Sequence, residues 1–415
     1  GKQVLKYKLS IGLKNKISYN VFPLSCNVSA IVNFLFSFIA LLAVMLFVSI
    51  KTPVFSPTIF LTILMLPALF LFNYGMSLIL SALYVFVDSD GKRGDVFVKD
   101  NKVFGVNMEG NDLIITSGAQ QVMDIVAKTF LNEHDTLICE APSFVGALNT
   151  FRSYNVDLVG VTVEKDGMNM EELEEKLIAN PNTKLIYTIP NFQNPSGVTM
   201  SLEKRKKLYE LAKKYNVLII EDNPYGDLRY SGEDVACIKS FDTDGIVIYS
   251  GSFSKVVAPG IRVGYMVADC AAMAKMIVCK QGQDVHTAMW SQMVCNEFMT
   301  KYDFKGHLQM LRDLYSKKAQ LCMDLLDEYV VPAGITYNKI EGGLFIWCTL
   351  PQNVDMLAFC KALTERKVCV VPGNAFMTDG SIPCDSFRIN FSTPTDEELT
   401  KGIQIIGEMA KEFIK

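Results

Sequence analysis

From Asn111 to the middle of the chain, short apolar runs alternate with amphipathic ones, and this alternation constrains the fold more than any other feature. Strand-like runs at 112–116 (DLIIT), 136–140, 184–189, 217–221 and 246–249 are interleaved with helix-like runs such as 120–131 and 202–215. The pattern predicts a largely parallel sheet wrapped by helices, an α/β architecture. In such sheets ligands bind in the crevice beyond the carboxyl ends of the strands. The residues that directly follow each strand are therefore the first place to look for chemistry.

After the run at 246–249 comes Ser250-Gly251-Ser252-Phe253-Ser254, a small-residue loop that delivers Lys255, and Arg262 follows seven residues later between Ile261 and Val263. Hydroxyls, one amine and one guanidinium in so short a stretch suit a phosphorylated aldehyde: Ser252, Ser254 and Arg262 hold the phosphate while the amine of Lys255 condenses with the carbonyl. That is pyridoxal phosphate chemistry. A surface lysine beside a serine-rich turn is the plain alternative for this stretch alone.

The other strand ends supply possible partners. Ser117-Gly118-Ala119 enters the helix at 120 and offers free backbone N–H groups to an anion, or is a plain strand-to-helix turn. Phe144 can cover a flat heteroaromatic ring, or is core. The loop Pro190-Asn191-Phe192-Gln193-Asn194-Pro195-Ser196-Gly197 is stiffened by two prolines and can aim Asn194 into the cleft. Asp222 can pair with a protonated pyridine nitrogen and Tyr225 can donate to a ring oxygen; alternatively Asp222 caps a turn. A helix-rich connector is expected over about 273–329, then a smaller α/β domain. There Glu341-Gly342-Gly343-Leu344-Phe345-Ile346-Trp347 reads as a glycine turn entering a strand, and 387–392 (FRINFS) as a strand with Arg388 among apolar neighbours. Its planar guanidinium can take an α-carboxylate bidentately, or serve a structural ion pair.

Taken together, SGAQQ, NFQNPSG, EDNPYGDL and GSFSK...GIRVGY resemble the fold-type I pyridoxal phosphate enzymes, specifically class I/II aminotransferases near the 2-aminoadipate and kynurenine/aromatic group, over about residues 103–415. The same domain occurs in MocR-type regulators. The resemblance implies a mostly parallel seven-stranded large domain with a small C-terminal domain, and pyridoxal 5'-phosphate as cofactor. It implies that Lys255 carries the cofactor and that Asp222 keeps the pyridine nitrogen protonated. Tyr225 and Asn194 would bind the ring hydroxyl, and Phe144 would stack on the ring. Ser117, Gly118, Ala119, Ser252, Ser254 and Arg262 would bind the phosphate, and Arg388, with Asn194, the substrate carboxylate. The expected reaction moves the amino group of an L-amino acid to a 2-oxo acid, 2-oxoglutarate by resemblance, with ping-pong kinetics in a homodimer. A MocR-like sensor without turnover and a lyase or decarboxylase keep the same lysine and stay open. A transport component is the remaining alternative, although the chain has no P-loop.

The N-terminal part is of another composition. Between Lys16 and Asp88 the only charged residue is Lys51, and the apolar runs at 29–50 and 57–87 are each long enough to span a bilayer. Lysines 2, 6, 8, 14 and 16 precede the first run and Lys92 and Arg93 follow the second, so a hairpin with both flanks in the cytoplasm is expected. FPLSCNVSAIVNFLFSFIALLAVMLF and LPALFLFNYGMSLILSALYVFV resemble part of the membrane subunit of a polysaccharide-exporting ABC-2 transporter, over about 15–88. The expected organisation is a membrane hairpin at 1–88, a junction at 89–102, a large domain at 103–290, and connector helices with the small domain at 291–415. The hairpin would stand where the family has an N-terminal arm over its substrate, in a natural fusion or in a chimera of two genes, the latter with a catalytically poor or inactive site. The chain begins with Gly1, so the native N-terminus is expected to be missing. A net charge of −4 with pI near 5.6 gives no electrostatic reason for a nucleic-acid partner. Eleven cysteines without CxxC spacing indicate neither a zinc site nor a disulfide framework.

Overall fold

A computed structural model of the protein describes residues 106–414, together with the backbone of 98–99 and 102–103. The chain divides into two compact units, Gly1–Asp100 and Asn101–Lys415. The expected membrane hairpin and most of the junction lie outside the described residues; among those described, no helix is long and apolar enough to cross a membrane.

The second unit is built on a large sheet. Its strands are β1 (Asn111–Thr116), β2 (Thr136–Ala141), β3 (Asp157–Glu164), β4 (Thr183–Thr188), β5 (Leu218–Asn223), β6 (Val247–Ser252) and β7 (Gly264–Asp269). They lie in the order β1-β7-β6-β5-β4-β2-β3, with the two-residue strand Gly167–Met168 as an eighth beyond β3. Neighbours from β6 to β3 run parallel, whereas β7 is antiparallel to both β6 and β1. The expected seven strands are thus present with one addition, a short hairpin return in which Val163 faces Met168 and Glu164 faces Gly167.

Helices α1 (Ala119–Phe130), α2 (Val145–Ser153), α3 (Met170–Ala179) and α4 (Leu202–Tyr215) join successive strands. Each buries a stripe at helical spacing; in α1 it comprises Val122, Met123, Ile125, Val126 and Ala127. Local chemistry sets the bounds of α4: the Ser201 side chain accepts from Lys204 N at the start, and Asn216 takes the left-handed conformation at the end. Three connector helices follow, α5 (Cys270–Gln283), α6 (Met289–Lys301) and α7 (Phe304–Leu325).

The C-terminal part holds a second, antiparallel sheet of β8 (Thr336–Tyr337), β9 (Phe345–Thr349), β10 (Val371–Pro372) and β11 (Ser386–Asn390), in the order β8-β9-β11-β10. Helices α8 (Met356–Glu365) and α9 (Asp396–Phe413) cover it, the latter opened by a Thr395/Glu398 capping box. A separate buried cluster that includes Phe359, Phe387, Phe391 and Ile403 forms its core.

Candidate active site

Because β1, β2, β4, β5 and β6 all point the same way, the loops after them meet along one edge of the large sheet. Every cofactor residue expected from the sequence except Arg262 lies in the last two residues of one of those strands or in the loop directly after it.

Asp222 and Ser250 are directly paired across β5 and β6. The Asp222 side chain is buried; Oδ2 accepts a 3.0 Å hydrogen bond from the Tyr187 hydroxyl, while Oδ1 has no partner. Burial raises its carboxyl to about 6, against the opposing pull of the Tyr187 hydroxyl and of the nearby Ser250 hydroxyl, whose Oγ is itself buried without a hydrogen-bond partner. An orphaned buried carboxylate oxygen is costly unless something donates to it. A protonated ring nitrogen is such a donor.

Lys255 follows β6, half-buried, with Nζ 5.9 Å from the centre of the Tyr225 ring. Burial, then the positive charges of Arg388 and Arg262, push its ammonium below the ordinary lysine range. Tyr225 is buried, stands edge-on to Phe345 at 5.8 Å, and has its hydroxyl 3.5 Å from Asn194 Nδ2. Asn194 Oδ1 in turn accepts from Arg388 Nη1 at 2.8 Å, so the large and small sheets meet at this amide. Arg388 lies on β11 opposite Trp347 and Val371, with its guanidinium carbon 4.0 Å from the Phe345 ring centre and 4.9 Å from that of Phe376. Its Nε is buried without a partner.

The anion end is equally specific. Helix α1 starts at Gly118 with no side-chain cap, leaving its first N–H groups free. Gly118 has φ of 84°, and a Cβ there would fall on Arg262 Nη2, so only glycine allows the guanidinium to lie against the turn. Arg262 itself takes the left-handed conformation and donates to Ser117 O at 3.3 Å and Ser254 Oγ at 3.4 Å. Ser252 Oγ accepts from Ser254 N at 3.2 Å. The Ser117 hydroxyl is committed elsewhere, donating at 2.9 Å to Asp284, which Lys280 holds at 2.7 Å. The Ser117 N–H is committed as well, donating to Gln121 Oε1 at 2.8 Å, so neither donor of Ser117 is free for an anion. Phe144 precedes α2 with its ring packed where a Cβ on Gly146 would stand.

Several supporting residues escaped the sequence reading. Arg205, fully buried, ties the Asn194 loop down by donating to Pro190 O at 2.8 Å and Asn191 Oδ1 at 2.7 Å. Glu140, at the end of an apolar strand, accepts from Thr188 Oγ1 at 2.7 Å, Ile189 N at 3.1 Å and Gln193 Nε2 at 3.2 Å. Phe376 is fixed over Arg388 by Ser143 N, which donates to its carbonyl at 2.8 Å. A charge or hydroxyl ending an otherwise apolar strand, as Glu140 and Tyr187 do, is the sequence signal that marks such residues.

Burial raises the Glu140 carboxyl from the ordinary 4.5 to about 7. A carboxyl raised in the folded state contributes stability that is complete below about 4.5 and is lost as the pH climbs through 7. Glu140→Gln is therefore expected to lose that dependence. Denaturant titrations of cofactor-free protein between pH 4.5 and 8 should show the wild type losing on the order of 3 kcal/mol relative to the variant. Parallel curves would remove the assignment.

A lysine with a depressed pKa, an aspartate with one buried oxygen lacking a donor and an arginine with a buried, unpartnered Nε thus lie at the carboxyl edge of the large sheet. The chain belongs to the class I and II aminotransferases, whose family model matches residues 99–406. It is an aminotransferase, of a family that uses pyridoxal phosphate. It is 38% identical over 308 residues to aromatic-amino-acid aminotransferase 1 of Thermococcus litoralis, covering 73% of each chain. The kynurenine aminotransferase of Pyrococcus horikoshii, solved with PMP, KYN as substrates and KYA as products, matches at TM-score 0.73 and 34% identity, over 80% of this chain and 86% of that one. An alpha-aminoadipate aminotransferase of Thermus thermophilus complexed with N-(5'-phosphopyridoxyl)-L-leucine matches at TM-score 0.71 and 30% identity, over 80% and 87%.

Proposed function

We propose that this chain transfers the amino group of an aromatic or 2-aminoadipate-type L-amino acid to 2-oxoglutarate by a ping-pong mechanism, with pyridoxal phosphate held by the residues described above. The observation that carries this reading is the unpartnered, buried Oδ1 of Asp222 in the same crevice as Lys255. Asp222 Oδ1 would accept from the ring nitrogen; the α1 N-terminus, Arg262 and Ser254 would take the phosphate; Tyr225 and Asn194 would address the ring hydroxyl, and Phe144 a ring face. When bound, the cofactor supplies an electron sink for negative charge at the substrate Cα. Lys255, its ammonium disfavoured by burial and two arginines, would present a neutral amine that takes the Cα proton and returns it two bonds away, to the carbon on the far side of the amino nitrogen. Arg388 orients the substrate through its α-carboxylate. The donor class follows the names of the relatives and the aromatic rings of Phe345, Trp347 and Phe376 beside Arg388.

The full chain assayed with a panel of L-amino acids and 2-oxoglutarate is expected to form glutamate and the matching 2-oxo acid one for one, fastest with aromatic donors or 2-aminoadipate. Cofactor binding without turnover would favour a sensor, and release of carbon dioxide or ammonia a lyase.

A further inference from the structure

Helix α7 touches both catalytic loops from outside the crevice. Near its start, His307 Nε2 lies 2.7 Å from the carbonyl oxygen of Val256, the residue directly after Lys255. Five residues on, Arg312 Nε donates at 2.8 Å to the carbonyl of Asp227, in the turn Gly226–Leu228 that follows Tyr225. Toward its end, Lys318 donates to Pro394 O, and Ala319, Cys322 and Leu325 join the buried cluster containing Phe387 and Ile389, the neighbours of Arg388 in β11.

The His307 ring is itself fixed, edge-on to Phe298 at 5.0 Å and stacked on Phe304 at 6.3 Å, and Asp303 caps the helix beneath it. A carbonyl only accepts, so Nε2 carries the hydrogen, and this contact persists in both the neutral and the protonated ring. Val256 is 3% exposed, so losing the donor would strand a buried acceptor and leave the loop to seek another position.

We propose that His307 and Arg312 are positioning residues: through them α7 seats the Lys255 loop and the Tyr225 turn on the same rigid element that enters the core behind Arg388. The proposal rests on the reading of Lys255 and Tyr225 given above. Its mechanism is geometric. Lys255 faces Tyr225, Arg388 and Arg262, and how far its amine is buried among them depends on where the loop sits.

The test follows acetic-anhydride labelling of Lys255 against pH, read by mass spectrometry on the full-length, cofactor-free protein. His307→Phe keeps the ring packing and His307→Asn keeps a polar side chain, but neither can donate to Val256. Both are expected to move the Lys255 labelling midpoint up by about 0.5–1 pH unit, toward an exposed lysine. His307→Gln, whose amide reaches as far as Nε2, should restore the wild-type midpoint. Arg312→Ala, which frees the Asp227 carbonyl and removes the positive charge acting on the Asp227 carboxyl, should leave that midpoint in place while weakening cofactor binding several-fold. Superimposable profiles for wild type, His307→Phe and His307→Asn would overturn the proposal, as would a His307→Gln profile matching that of His307→Phe. Using two variants whose side chains cannot supply the Val256 contact keeps the test intact should one fail to fold. Labelling needs no cofactor, so failure of the Lys255 assignment would appear separately, as unchanged cofactor capture by Lys255→Ala.

Discussion

Lys255→Ala is expected to lower the rate of amino transfer at least about 10³-fold, the upper range for a single positioned acid–base group. Asp222, Tyr225, Arg262 and Arg388 make no hydrogen bond to the Lys255 amine, so its removal leaves the anion turn, the Asp222–Tyr187 pair and the Arg388–Asn194 contact standing. The variant should fold and retain weak, reversible cofactor affinity, while the visible absorbance of cofactor attached to the chain disappears. Lys255→Arg sharpens the argument. It keeps the positive charge but cannot lose its proton near neutral pH, so it should be as inactive as alanine. Steady-state kinetics with the preferred donor, beside absorbance spectra of both variants, check this. Either variant keeping a tenth of wild-type activity would exclude Lys255 as the proton carrier.

The depressed Lys255 pKa also sets a direction for pH dependence. Burial and the two arginines favour the neutral amine, so the cofactor-free lysine should become reactive at lower pH than an exposed one. Arg388→Leu removes the larger of the two charge effects and should move that onset upward.

How far the site could be read in the sequence depended on distance along the chain. Strand ends were legible because an apolar run that stops at a small or charged residue is a local signal: 136–140 against Thr136–Ala141, and 202–215 against the identical α4. The next-to-edge strand β3 was not, since it carries Gly160 mid-run and half-exposed positions that blur its pattern. Asp222 and Gly118 were legible as motif positions, but not the physical reason for either. For Asp222 the reason is a hydroxyl 35 residues away on β4, and for Gly118 it is a guanidinium on a turn beyond β6. Such contacts follow from strand order, which β7 complicates by inserting itself antiparallel between β1 and β6. Likewise Ser117 read as part of a turn of free backbone N–H groups, and nothing in that reading showed that Asp284, at the end of α5, takes its hydroxyl. No local pattern joins those two residues.

Arg388→Leu is expected to cost about 3–4 kcal/mol in kcat/KM for amino acids, on the order of 10²–10³-fold, the usual penalty for truncating one side of a buried charged pair. The guanidinium lies between Phe345 and Phe376 with Nε unpaired and only Nη1 engaged by Asn194, so donors remain for a carboxylate in a partly desolvated place. Burial lowers the arginine's pKa, the electrostatic cost of holding its charge away from water. Lysine is not an adequate replacement. It would lose the planar stacking on both rings and the contact to Asn194 Oδ1, and Arg388→Lys should recover less than about a tenth of the lost activity. The control is a primary amine with the same side chain and no carboxylate. Wild type and Arg388→Leu should process it equally poorly, because the contact that distinguishes them is absent. If Arg388→Leu depressed the amine and the amino acid to the same extent, the arginine would be holding Asn194 and Tyr225 in place and not the substrate.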